Sequence, residues 1–105
     1  MLRSLLAEFI GAFFFITVIL VLTSQYTGNI LVPLGIGLGL AVAIYFVATA
    51  SKGSFNPAVT LALYSRGDIN GNTAILYVLA EIFGAMLAFV WWSYMFKSCG
   101  PTKVK

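Results

Sequence analysis

The run Ser51-Lys52-Gly53-Ser54-Phe55-Asn56-Pro57-Ala58-Val59-Thr60 concentrates polar chemistry between two long apolar segments. An Asn side chain can cap a helix and proline fits the first helical turn, so Asn56-Pro57 predicts a helix start. Inside a membrane, a short helix that begins in a loop points the positive end of its dipole at whatever lies at mid-depth. Such a site suits a pore for small polar solutes, with the Asn56 amide donating to a water or hydroxyl oxygen. Glu8 and Glu81 are carboxylates inside apolar runs, and ionisable groups in that setting are functional candidates by default. Each stands near one end of its run, and nothing in the sequence pairs them.

Other chemistries lack their residues. The chain has no histidine and a single cysteine, Cys99, which excludes an internal disulfide and a His/Cys metal site. Cys99 reads as a plain thiol in a polar tail. There is no nucleophile–base pair and no metal cluster, so no enzyme is expected and no cofactor. The net charge is only +3, with no Lys/Arg stripe interleaved with aromatics, so no nucleic-acid partner is expected.

The elements that position these residues follow from composition. Of 105 residues, 61% are hydrophobic and 9% charged, more apolar surface than a soluble domain of this size could cover; the solvent is lipid. The first apolar run lacks a convincing small-residue cleavage site and reads as a retained span. The expected fold is all-α: three transmembrane helices, at about 5–22, 30–50 and 74–96, and one re-entrant half-helix at about 56–65, in a single unit over 1–105. Ten residues rising about 1.5 Å each give roughly 15 Å, half of a ~30 Å hydrocarbon core. Ser24 to Asn29 is a polar turn, Arg66 to Asn72 an exposed connection, and Gly100-Pro101 a stop in the tail.

Small residues mark helix crossings: Gly35 and Gly39 form a small-xxx-small face, and Gly11 and Gly84 serve similar approaches. The phenylalanines at 13, 14 and 15 cover too much of the helix circumference to form a ligand box. Trp91, Trp92 and Tyr94 read as an interfacial belt. Lys52 reads as an interfacial anchor whose head reaches water.

Two crossings and a re-entrant helix place the amino terminus, the Lys52 loop and the Arg66 turn on one side, and the Gln25 turn and tail on the other. Arg3, Lys52 and Arg66 then oppose Lys97, Lys103 and Lys105. Three against three gives the positive-inside rule nothing to act on, and a chain without that bias is open to insertion both ways round.

Ala7-Glu8-Phe9-Ile10-Gly11, Gly37-Leu38-Gly39-Leu40-Ala41-Val42, Gly53 to Thr60, and Ala80-Glu81-Ile82-Phe83-Gly84-Ala85 occur in order and at the right spacing over nearly the whole chain. In these segments the chain resembles the aquaporin (major intrinsic protein) family. It departs in size: that family carries two such halves, inverted relative to each other, and this sequence has no second Asn-Pro-Ala and no internal repeat. The resemblance therefore implies a single half-length repeat. One half-helix alone would leave its first N–H groups and Asn56 facing lipid or a void, at several kcal/mol per unsatisfied group. A second copy inserted the opposite way would put two half-helices tip to tip, with Pro57 and Ala58 at the junction. The expected partner is the chain itself, as an antiparallel homodimer; the family's habit of assembling four pores implies an octamer of four dimers.

The resemblance also implies site roles. Glu8 corresponds to a carboxylate that accepts hydrogen bonds from the re-entrant loop, and Glu81, where the family often has Gln, is assigned the same bracing role. The narrow mouth of the pore maps onto Ile36, Ile44, Gly53 and Val59. Val59 stands where an Arg is frequent, so the mouth is expected to be apolar and uncharged. Together these imply a passive channel for water and other small neutral solutes. The alternatives are half of a heterodimeric pore, a proton-coupled exporter of dual topology using Glu8, and a membrane-lesion or assembly protein, for which no residue speaks.

Overall fold

A computed structural model of the chain describes residues 1–99. The expected stop at Gly100-Pro101 and the charges of Lys103 and Lys105 lie outside the described residues. Within them the chain forms four helices and no strand: α1 Leu2–Gln25, α2 Leu31–Val47, α3 Pro57–Arg66 and α4 Gly71–Met95.

Local chemistry sets most of the boundaries. Between α1 and α2, Gly28 takes φ 76 and the Asn29 side chain accepts the Leu31 N–H at 2.8 Å. Asn56, extended at φ −145, caps α3 by accepting the Ala58 N–H at 2.8 Å, with Pro57 in the first turn. The other end closes on Gly67 at φ 90. There the Gly67 N–H donates to Tyr64 O at 3.0 Å and the Asp68 N–H to Leu63 O at 2.9 Å, a Schellman pattern. Asn70 caps α4 through the Thr73 N–H at 2.8 Å, which starts that helix three residues before the expected position 74.

α2 ends earlier than its apolar composition predicts, at Val47 rather than 50. The Ala50 and Ser51 N–H groups both fold back to Val47 O, and the Ala50 carbonyl accepts the Ser4 hydroxyl at 2.7 Å. The amino end of α1 thus draws the chain out of the helix. α1 and α4 are long and apolar enough to cross a membrane; α2, at 17 residues, is a shorter apolar helix.

α1 is the hub. It packs against both α2 and α4, whereas α3 packs on α4 and α2 touches neither α3 nor α4. α1 and α4 run parallel in close contact: a Cβ on Gly84 would meet Phe9 O at 2.5 Å and Phe13 N at 3.1 Å. Further along, the Trp92 indole donates to the Ser24 hydroxyl at 2.9 Å. Trp92 thereby ties α4 to α1, while Tyr94 remains 84% exposed. The Gly35–Gly39 face receives α1, with Leu22 over Gly35 and Val18 over Gly39.

Burial is inside-out for a water-soluble fold. The buried side chains are mainly alanines together with Glu8, Ser54, Thr60 and Glu81, while Leu38, Phe46, Leu61 and Phe83 are each more than 60% exposed. Apolar faces of that size need lipid or another protein chain against them.

Candidate functional site

The loop after α2 runs through two left-handed residues. Gly53 at φ 64 adopts that conformation freely, but Phe55 at φ 55 does not. A non-glycine residue held there costs about 1–3 kcal/mol and persists only where its surroundings over-determine it. Here they do. The Phe55 side chain is 1% exposed and its ring lies over Gly11, where any Cβ would fall inside the ring. Gly11 is therefore a socket for the loop, not the simple helix crossing its sequence suggested.

Glu8, fully buried on α1, fixes the same loop. One carboxylate oxygen (Oε2) accepts the Ser51 hydroxyl at 2.6 Å and the Gly53 N–H at 3.1 Å. The other (Oε1) accepts the Phe55 N–H at 2.9 Å and lies 3.0 Å from Ser54 Oγ. Two left-handed residues thus present their N–H groups to one carboxylate, which holds the turn leading to Asn56.

Glu81, 1% exposed on α4, bonds to hydroxyls rather than to the loop backbone. Thr60 Oγ1 lies 2.8 and 3.0 Å from its two oxygens, and Ser54 Oγ lies 3.1 Å from Oε2. Ser54 and Thr60 are themselves 2.9 Å apart. Ser54 therefore bridges two carboxylates that the sequence offered no reason to pair, and this cluster joins α1, the loop, α3 and α4.

The cluster also sets the depth of α3. Thr60, in its first turn, sits against Glu81, ten residues and about 15 Å into α4. Tyr64, near its other end, lies beside Gly71 at the start of α4. The tip of α3 therefore faces the middle of α4, and the helix runs back toward the end from which α4 departs.

Asn56, Pro57, Ala58 and Val59 lie together at this tip, all exposed. The Asn56 carbonyl oxygen serves the cap, so its amide nitrogen is the group turned to the surroundings. Gly53 lies against Ile44, with a Cβ at position 53 falling 3.6 Å from Ile44 Cγ1. Ile36 lies two turns earlier on the same stripe of α2 as Ile44. Ile44 and Val59 are 39% and 43% exposed and supply no charge. A groove of about 320 Å³ between α1 and α2, lined by Phe13, Phe14, Val42 and Phe46 among others, is almost wholly apolar.

At the end of α3, Arg66 pairs with Asp68 of the following turn at the surface. The hydrogen bond from the Arg66 guanidinium, then its charge, holds the Asp68 carboxyl below the usual range; Lys52 adds to this, and Arg66 is raised in turn.

Ser51, Ser54, Phe55 and Thr60 are the site residues that sequence reasoning passed over. All lie within the conspicuous polar run, and the hydroxyl spacing was the available signal. The conformation of Phe55 left no local trace.

Residues 1–104 match the family model for major intrinsic proteins. The chain is 37% identical over 87 residues to the glycerol uptake facilitator protein-like 6 of Lactiplantibacillus plantarum, covering 82% of this chain and 40% of the relative. It is 34% identical over 95 residues to aquaporin Z of Photorhabdus laumondii, covering 84% and 41%. It is 38% identical over 94 residues to nodulin-26 of Glycine max, covering 83% and 34%. The chain thus spans about two fifths or less of the length of these curated relatives. No solved structure matches it.

Proposed function

We propose that this chain, which belongs to the major intrinsic protein family, forms one half of the wall of a passive channel for water and other small neutral solutes. Members of the family are channels rather than enzymes and reside in membranes. Relatives named as an aquaporin and as glycerol and propanediol facilitators support that solute class. In this reading α1, α2 and α4 cross the bilayer and α3 re-enters it halfway.

One observation carries the reading. The tip of α3, with Asn56, stands opposite the middle of α4, and α3 has α4 as its only helical neighbour among the described residues. The positive end of its dipole and the free Asn56 amide group then face an open side at mid-depth. A second half-helix from the opposite leaflet would close that side, with Pro57 and Ala58 of the two copies in contact. Two opposed dipole ends repel cations and turn a file of water outward in both directions. Ile36, Ile44, Gly53 and Val59 form the apolar mouth, Glu8 and Glu81 hold the loop behind it, and the partner is a second, inverted copy. Four such pairs would give an octamer.

Sidedness tests the pairing. With Cys99 replaced by serine and Leu2, exposed and uncharged, by cysteine, so that the loop charges stay balanced, an impermeant thiol reagent should label about half of the copies from each face of sealed membranes. Labelling from one face alone would rule out an inverted partner.

A further inference from the structure

Hydrogen atoms can be counted across the Glu8–Ser54–Thr60–Glu81 cluster. Ser54 and Thr60 bring one hydroxyl proton each, and a serine or threonine hydroxyl donates once. Thr60 spends its proton on Glu81, whose oxygens lie 2.8 and 3.0 Å away. The Ser54 oxygen has three oxygens around it, on Glu8 at 3.0 Å, on Glu81 at 3.1 Å and on Thr60 at 2.9 Å. Were both glutamates ionised, the single Ser54 proton would satisfy one carboxylate and leave the other facing the Ser54 lone pairs at 3.0 or 3.1 Å. Two adjacent negative charges would also be buried together, and among the described residues neither forms an ion pair.

We propose that Glu8 and Glu81 hold one proton between them, carried by Glu81 and linked to Glu8 through the Ser54 hydroxyl. Glu81 Oε2–H then donates to Ser54, Ser54 donates to Glu8 Oε1, and Thr60 donates to Glu81 Oε1, so both carboxyl groups meet Ser54 across a donor–acceptor pair, and the Ser54 and Thr60 oxygens touch without a proton between them. The negative charge falls on Glu8 because Glu8 already receives two backbone N–H groups and the Ser51 hydroxyl, donors that stabilise a carboxylate. Glu81 receives no backbone donor and is the cheaper group to neutralise. The groups around the pair are Glu8 of α1, Ser51 and Ser54 of the loop, Thr60 of α3, and Glu81 with buried Tyr77 one turn before it on α4. Lys52, beside Ser51 in the loop, is exposed, as are Arg3 on α1 and Lys97 beyond α4. The cluster is thus a proton-holding site that ties the half-helix to both long helices while carrying one charge instead of two.

Glu8 and Glu81 are the only glutamates in the chain, which makes the test direct. Protein labelled with ¹³C at glutamate Cδ and reconstituted in bilayers near neutral pH should give two carboxyl signals, one ionised and one protonated. In E81Q, whose amide can still donate to Ser54, the protonated signal should vanish and the ionised one persist. Two ionised signals in the wild type would overturn the proposal, as would two protonated ones. So would a protonated signal that survives E81Q, since the proton would then reside on Glu8. The wild-type spectrum decides even if the variant does not fold.

Discussion

The Phe55 ring covers Gly11 so closely that no side chain at position 11 fits beneath it. This contact joins the middle of α1 to the loop that launches α3, and it holds Phe55 in a backbone conformation that a bulky residue otherwise avoids. In G11A, the added methyl must displace the ring. Alanine gains up to about 1 kcal/mol of helix propensity over glycine, while overpacking a filled site costs about 1–3 kcal/mol. G11A should therefore be destabilised on balance, seen as a lower unfolding midpoint in detergent. An unchanged or higher midpoint would mean that the ring moves aside freely.

Glu8 and Glu81 should respond differently to the same substitution. Gln at position 8 replaces one oxygen by an NH₂ group, which must oppose either the Gly53 or the Phe55 N–H, leaving a buried donor unpaired at about 1–3 kcal/mol. Gln at position 81 keeps an oxygen for Thr60 and a donor for Ser54. Thermal unfolding of the two variants should rank E8Q well below E81Q. Equal losses would mean that the backbone bonds to Glu8 carry no special weight.

Asn56→Asp separates capping from solute contact. Asp accepts the Ala58 N–H as Asn does, so α3 and overall stability should persist. The amide donor is lost and a negative charge appears, so glycerol flux should fall by about tenfold, equivalent to one hydrogen bond of about 1.4 kcal/mol. Unchanged flux and selectivity would reduce Asn56 to a helix cap.

The Arg66–Asp68 pair gives a pH signature at the turn that follows α3. Asp68 is lowered in the folded chain, so its contribution is present above the usual carboxylate range and is lost as pH falls through its lowered value. The pair lies at the surface, so the effect should be small and salt-sensitive. An NMR titration of the Asp68 carboxyl should show a low midpoint that moves toward the ordinary one in R66A. An identical midpoint in the variant would remove Arg66 as its cause.

Much of the helical layout is written in local punctuation: Asn56-Pro57, Gly67 and Asn70 each act within a few residues, through a cap or a left-handed turn. The carboxyl end of α2 is not, because Ala48-Thr49-Ala50 is compatible with helix, and only the distant Ser4 bond and the pull of Glu8 on the loop end it. The pairing of Glu8 with Glu81 was illegible for a similar reason. It depends on α1 and α4 running parallel in the register that Gly84 permits, with Ser54 delivered between them by a loop whose shape rests on Phe55. Sequence patterns report periodicity and caps; they do not report which side chains three separate elements bring to one point.

The functional account stands most directly on permeability. Purified chain, reconstituted without any other protein and compared with empty vesicles in stopped-flow light scattering, should raise both water and glycerol flux. Rates indistinguishable from those of empty vesicles, with the protein shown to be folded and inserted, would contradict it.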